Sequence, residues 1–187
     1  MPFIINNEIP MEEIEIKSIR GKIRESADRY IKYTDSMDVN LILLKSFIYT
    51  EELLGDINKR LHGIDPDRTT LGTNIKLFSL IKDDATSLSI KLLKNILKTR
   101  NKIAHNLEYD VLKDITFIKI IKKYYIENNA DDGIIDVSAL LDETGGLDIP
   151  CYQHLISTYF SGLINGILYV KSGLETMPNF IAYTTEE

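Results

Sequence analysis

The stretch 149–170 constrains the fold more than any other part of the chain, because it contains no Asp, Glu, Lys or Arg. A run of this length could span a bilayer, which takes about 20 apolar residues. Polar residues nevertheless recur along it on one helix face: Gln153, His154, Ser157, Thr158, Ser161 and Asn165. Lipid would leave such a stripe without hydrogen-bond partners. The stretch therefore predicts an amphipathic helix of a soluble protein, not a membrane span.

The same helical periodicity runs through the rest of the chain. Apolar residues repeat with a period near 3.6 in five further segments, at about 11–33, 37–61, 74–81, 88–106 and 111–128. In the second segment the residues expected to face inward are Leu41, Leu44, Ile48, Leu53 and Ile57. No strand–helix alternation and no internal repeat is found. The pattern predicts an all-α fold, an up-and-down bundle of about five to six helices with a C-terminal helix that packs back on it.

The length of 187 residues suits a single domain covering residues 1–187. Its core is expected at about 11–127 and 151–172. Between them, about 128–150 contains Asp-Asp-Gly and Gly-Gly turns and is expected to be a loop-rich insertion. Within it, 137–142 is compatible with either a helical turn or a short strand.

Cysteine, histidine and the N-terminus limit the class of protein. Cys151 is the only cysteine, so an intrachain disulfide or a paired-cysteine metal site is excluded. His62, His105 and His154 lack the spacing of metal ligands, and we predict neither a metal nor another cofactor. Residues 1–10 have no basic region typical of a signal peptide, so we expect a cytoplasmic protein.

The segment 100–106, Arg-Asn-Lys-Ile-Ala-His-Asn, ends the fourth predicted helix. On an ideal helix, Arg100 projects within about 20° of the centre of an apolar face. That face is defined by Leu93, Leu97 and Ala104. A guanidinium is always charged and is rarely buried alone. Arg100 is therefore expected to meet a carboxylate, a group of carbonyls, or a phosphate held at an interface.

A basic stripe surrounds this motif in an otherwise acidic chain, whose net charge is −6. Asn101 and His105 share one face, and lysines lie on or near the same flank: Lys91, Lys94, Lys98 and Lys102. A localised basic stripe is typical of a site for a polyanion such as RNA, and Lys94, Lys98 and Lys102 are the candidate RNA contacts. The alternative is an ordinary solvated helix face.

Arginine and histidine together can cleave RNA without a metal. An imidazole moves protons near neutral pH, and a guanidinium can hold a phosphate and stabilise developing charge. Attack of the 2′-hydroxyl on the adjacent phosphate would give a 2′,3′-cyclic phosphate and a 5′-hydroxyl. On one ideal helix, however, Arg100 and His105 diverge by about 140°. The chemistry therefore predicts a homodimer packed through this helix across a twofold axis, and fraying near Asn106 would also help.

The sequence around Arg100 and His105 resembles the HEPN superfamily (higher eukaryotes and prokaryotes nucleotide-binding), whose active members carry Arg-x4–6-His at a helix end. A polar residue often follows the Arg, and Asn101 occupies that position. Thr70-Leu71-Gly72 is similar to the start of an upstream helix in several bacterial branches. The resemblance covers roughly 37–127.

This resemblance implies a helical homodimer with metal-independent endoribonuclease activity, and a role as a toxin or in phage defence, with an antitoxin or regulatory protein as a possible partner. Arg100 would bind the scissile phosphate, His105 would act in proton transfer, and Asn101 would support the site. One toxin branch has Tyr two residues after the His, whereas this chain has Leu107 there and its nearest tyrosine is Tyr109.

Two hypotheses follow. The first is an endoribonuclease with a composite Arg-Asn…His site. The second is a non-catalytic helical dimer, a binding or regulatory protein, in which Arg100 pairs with a carboxylate. An open, basic cleft lined by Arg100 and His105 would favour the first. Carboxylates that seal both side chains would exclude it.

Overall fold

The computed structural model describes residues 3–5, 13–36, 38–106, 108–129, 149–176 and 181–183. Helices form nearly all of this part of the chain: α1 (Glu13–Thr34), α2 (Val39–His62), α3 (Leu71–Phe78), α4 (Asp84–His105), α5 (Ile115–Asn129) and α6 (Ile149–Thr176). The predicted all-α helical fold is confirmed. Residues 130–148, which hold most of the predicted insertion, lie outside the described residues, as do Met37 and Leu107.

The central element is α6, the helix predicted from the uncharged stretch. It packs against α1, α2, α4 and α5. Its aromatic residues fix these contacts, since the Tyr159 hydroxyl donates to the Leu92 carbonyl of α4 at 2.7 Å and the Phe160 ring meets Phe47 of α2 edge-on. Among the described residues, no helix has the length and apolar character needed to cross a membrane.

Capping residues set the helix ends. Asp38 caps α2 by accepting from the N–H of Asn40, and Gly63 ends α2 in the left-handed conformation at φ 67°. The third helix begins earlier than predicted, at Leu71, because Thr70 caps it. The fourth also begins earlier, at Asp84, because the Asp83 carboxylate accepts from the Thr86 N–H at 3.0 Å.

A small sheet was not predicted. Its strands are β1 (Phe3–Ile5), β2 (Ile81–Lys82) and β3 (Ile181–Tyr183), with β1 in the middle, parallel to β2 and antiparallel to β3. The prediction that the third helix continues to Ile81 is wrong, because that residue pairs with β1 instead. Strands of two and three residues show too few alternations to be recognised in a sequence.

The inward face of α2 was predicted only in part. Leu53 and Ile57 are buried as expected, whereas Leu41, Leu44 and Ile48 are exposed. The residues that do face the core include Val39, Ile42, Leu43, Phe47 and Leu54. Because α2 carries apolar residues on both faces, its sequence does not determine which face the other helices cover.

Candidate functional site

Arg100 lies near the C-terminal end of α4 and is half-buried. The buried residues of this helix are Thr86, Ser89, Leu92, Leu93, Ile96 and Thr99, while Ala104 is exposed. The face is rotated from the predicted one because the small polar residues Ser89 and Thr99 are buried, with Ser89 placed against Gly166 of α6. Arg100 keeps 30% of its side-chain surface exposed.

Glu51 of α2 is the partner of Arg100. Its Oε2 atom lies 3.5 Å from Arg100 Nη2, and its side chain is 31% exposed. The contact is a single, long one between two partly exposed groups. An ion pair of this kind is worth about 0–1 kcal/mol. Of the three partners expected for the guanidinium, a carboxylate, carbonyls or a phosphate, the chain itself supplies a carboxylate.

Arg100 and Glu51 line an open cleft of about 420 Å³ between α2, α4 and the start of α3. The other lining residues are Thr69, Thr70, Leu71, Gly72, Leu97 and Asn101. Two sequence motifs noted separately, Arg100-Asn101 and Thr70-Leu71-Gly72, therefore meet at one place. Among the described residues, one positive and one negative side chain line this cleft, so it is not the basic cleft that would most favour a nuclease.

The first turn of α3 also borders the cleft. The Thr70 hydroxyl oxygen accepts a hydrogen bond from the Thr73 N–H at 3.2 Å. The preceding N–H groups, of Leu71 and Gly72, have no acceptor within a helix of this geometry. The positive end of the helix dipole thus lies on the same cleft as the Arg100 guanidinium.

His105 is not brought to the cleft. It is the last residue of α4, is exposed, and is not among the cleft residues. No hydrogen bond or ion pair joins its imidazole to another described residue. Because α4 stays helical through His105, with Asn106 as its extended C-cap, fraying does not bring the two side chains together. Within the chain, Arg100 and His105 remain about 140° apart around the helix.

The three candidate RNA-binding lysines differ in their environment. Lys94 and Lys98 are exposed and form no ion pair with another described residue. Lys102 instead forms an ion pair with Asp114, whose carboxylate lies 3.0 Å from its Nζ atom. The same Nζ atom lies 5.5 Å from the centre of the Tyr109 ring. Lys102 therefore has a structural partner that the sequence analysis did not predict.

Asp114 joins the end of α4 to the start of α5. Its side chain is only 6% exposed, and it accepts hydrogen bonds from the Tyr109 hydroxyl and from the Phe117 N–H. Burial raises the pKa of Asp114, but hydrogen bonds from Tyr109 and Lys102 more than offset this, so its pKa is lower than usual. Burial and the Asp114 carboxylate raise the pKa of Tyr109. Tyr109, the tyrosine nearest the motif, is thus held in a structural network.

Sequence reasoning missed both carboxylates, for different reasons. Asp114 has a local signal, an Asp directly before an apolar helical run, which is typical of an N-cap. Glu51 has none, because its partner Arg100 is 49 positions further along the chain. Only the packing of α2 beside α4 places the two together.

The polar stripe of α6 faces a second, larger groove of about 720 Å³. Residues of α1 and α5 form its other walls, among them Thr34, Tyr124 and Asn128. Gln153 reaches across to the Ser36 carbonyl at 3.4 Å. The polar face predicted for this helix is thus present, and part of it serves packing between helices.

Within the described ranges, no group of three or more His, Cys, Asp or Glu side chains is arranged to hold a metal ion. Comparisons with protein-family models, curated proteins and solved structures gave no match to the chain. The resemblance to the HEPN superfamily therefore stays a prediction from the sequence.

Proposed function

We propose that the protein is a metal-independent endoribonuclease that acts as a homodimer. The observation that supports this most is the meeting of Arg100, Asn101 and the first turn of α3 at one open cleft. A guanidinium, an amide and free helix N–H groups are donors suited to a phosphate. Neither Arg100 nor Asn101 belongs to the hydrophobic core of the described residues.

In this proposal the second copy supplies the imidazole. His105 and Asn101 share the exposed flank of α4 with Lys94 and Lys98, and this flank is the surface through which two copies would pack. Twofold packing would place His105 of one copy beside the Arg100 cleft of the other. Lys94 and Lys98 would then follow the RNA backbone on either side of the site.

The reaction is a transfer of the phosphate within the RNA itself. The 2′-oxygen attacks the adjacent phosphorus, and the bond to the 5′-oxygen breaks. Arg100 would neutralise the charge that builds on the non-bridging oxygens, while His105 would donate a proton to the leaving 5′-oxygen. The products would be a 2′,3′-cyclic phosphate and a 5′-hydroxyl end. Cleavage of cellular or phage RNA would suit a toxin or defence role.

The ion pair between Arg100 and Glu51 favours a second candidate, a non-catalytic helical dimer with a binding or regulatory role. In that case Arg100 ties α4 to α2 and binds no phosphate. The structure has neither an open basic cleft lined by both Arg100 and His105 nor carboxylates that seal both side chains. Arg100 has a carboxylate partner but stays open to the cleft, and no carboxylate of the described residues pairs with His105.

The test is to incubate total RNA, in EDTA, with wild-type protein, Arg100→Ala and His105→Ala. The proposal expects cleavage by wild type that leaves cyclic phosphate ends, and a loss of at least about 100-fold in both variants. Arg20→Ala, at an exposed position on α1, is the matched control and should cleave like wild type. Equal cleavage by all of these proteins would remove Arg100 and His105 from the mechanism. A dimer that leaves the RNA intact would establish the second candidate.

A further inference from the structure

We propose that Glu51 is the general base of this site and removes the proton from the attacking 2′-hydroxyl. The inference rests on the proposed ribonuclease function and adds a residue that the sequence analysis did not single out. Glu51 is on α2, outside the motif, and reaches the cleft only because α2 packs beside α4.

The spacing of the two side chains fits the two reacting parts of one nucleotide. Glu51 Oε2 and Arg100 Nη2 are 3.5 Å apart and open into the same cleft. In RNA poised for cleavage, the 2′-oxygen lies about 3–3.5 Å from the phosphorus that it attacks. A carboxylate and a guanidinium at this separation can therefore contact the 2′-hydroxyl and a phosphate oxygen of one nucleotide together.

The form of the contact leaves both groups available. Arginine has five N–H donors, and Glu51 is reached by Nη2 alone, which leaves donors free for a phosphate. Strong arginine–carboxylate pairs are usually shorter and bidentate. Both side chains also keep about a third of their surface exposed, at 30% and 31%. A substrate can therefore approach either one without unfolding any part of the site.

Helix geometry requires a base other than His105 on this side of the cleft. His105 of the same protomer points about 140° away from Arg100. If His105 of the second copy donates the proton to the leaving group, another group must take the proton from the 2′-hydroxyl. Among the cleft residues contributed by α2, α3 with its preceding segment, and α4, the charged side chains are Glu51 and Arg100. Glu51 is thus the carboxylate in a position to act.

The proposed step balances without any co-reactant. The 2′-hydroxyl proton passes to the Glu51 carboxylate as the bond from the 2′-oxygen to phosphorus forms. The bond from phosphorus to the 5′-oxygen breaks, and that oxygen takes a proton from the imidazolium of His105 in the second copy. Loss of the Glu51 proton to water and gain of one by His105 then restore the site.

The experiment measures kcat and KM for a short RNA in EDTA between pH 4 and pH 8 with four proteins: wild type, Glu51→Gln, Glu51→Asp and Glu52→Gln. Glu51→Gln should lower kcat by about 100-fold or more with little change in KM. It should also abolish the fall in kcat toward acidic pH, the region in which carboxyl groups titrate. Glu51→Asp keeps a carboxylate, so it should keep that fall at a reduced rate. Glu52→Gln removes the neighbouring exposed carboxylate of α2 and should behave like wild type.

Several outcomes would overturn the inference. If Glu51→Gln keeps the acid-side fall of wild type, Glu51 only positions Arg100 or only supports the fold. If Glu51→Gln raises kcat/KM, Glu51 competes with the phosphate for Arg100. Melting curves of each variant identify any loss of fold, and Glu51→Asp then provides the second measurement. Cleavage that requires Arg100 but not Glu51 would refute this inference alone, whereas an inactive wild type would refute the proposed function with it.

Discussion

Gly166 of α6 lies against Ser89 of α4, so close that a methyl group on Gly166 would overlap the serine hydroxyl. The Ser89 hydroxyl donates to the Ala85 carbonyl at 2.8 Å, which turns it toward its own helix. Gly162, one turn earlier, meets the Tyr124 hydroxyl of α5 in the same way. The two glycines thus bring the central helix close to two neighbours.

Gly166→Ala should therefore destabilise the protein by about 1–3 kcal/mol, the usual cost of overfilling a packed contact. Urea unfolding at neutral pH measures the change. The control is Gly21→Ala on α1, where a methyl group would meet nothing within 4 Å. It should stabilise by about 0.4–1 kcal/mol, since alanine restricts the unfolded chain and favours helix. Destabilisation by Gly21→Ala, or none by Gly166→Ala, would show that the α4–α6 contact is looser than described.

The Asp114 network should make stability depend on pH. The pKa of Asp114 is lower in the folded protein than its ordinary value of 3.8. Its contribution is therefore fully present above that ordinary value and is lost as the pH falls through the lower folded value. Asp114→Asn should cost about 1–3 kcal/mol at pH 7, the range for losing a charge-assisted hydrogen bond.

Urea unfolding at pH 7 and at pH 3 measures the free energy of unfolding of wild type and of Asp114→Asn. The difference between the two proteins should be smaller at pH 3. Asp28→Asn, at an exposed position on α1, serves as the control and should change stability little at either pH. A difference that stays constant across this range would mean that the Asp114 charge does not stabilise the fold.

The lysines should divide into RNA contacts and a structural residue. In a His105→Ala background, replacing Lys94 and Lys98 by Ala should weaken binding to a short single-stranded RNA and reduce the salt slope by about one unit per lysine. Lys17→Ala, on the exposed face of α1, should leave both unchanged. Lys102→Ala should lower the melting temperature, because Lys102 is paired with Asp114. Fluorescence anisotropy at several salt concentrations measures RNA binding and its salt slope. An unchanged salt slope would show that this flank of α4 does not contact RNA.

Sequence alone predicted the helices but not how they face each other. Hydrophobic periodicity and capping residues place a helix without knowledge of the fold, as the end of α2 at Gly63 illustrates. Relations between distant segments have no such local signal. The pairing of Phe3 with Ile81 and Tyr183 depends on packing across the whole chain. So does the exposure of Leu44, which shares its apolar character with the buried Leu43 beside it.

In the candidate site, too, local features were predicted from the sequence and contacts between distant segments were not. Arg100, Asn101 and His105 were singled out by residue type and spacing, and the structure places the first two in a cleft. Their separation from His105 follows from helix geometry and was predicted. The sequence could not show which carboxylate meets Arg100. The helix α2 has three acidic residues, Glu51, Glu52 and Asp56, and only the packing of the helices places Glu51 beside Arg100.

The most direct test of a site shared between two copies is complementation between inactive variants. Arg100→Ala and His105→Ala, each inactive in EDTA, are unfolded together, refolded as a mixture and assayed for RNA cleavage. A heterodimer of the two contains one site with both residues intact, so the mixture should regain about a quarter of wild-type activity. Each variant refolded alone should stay inactive. A mixture that remains as inactive as its components would contradict a composite site and, with it, the dimeric nuclease.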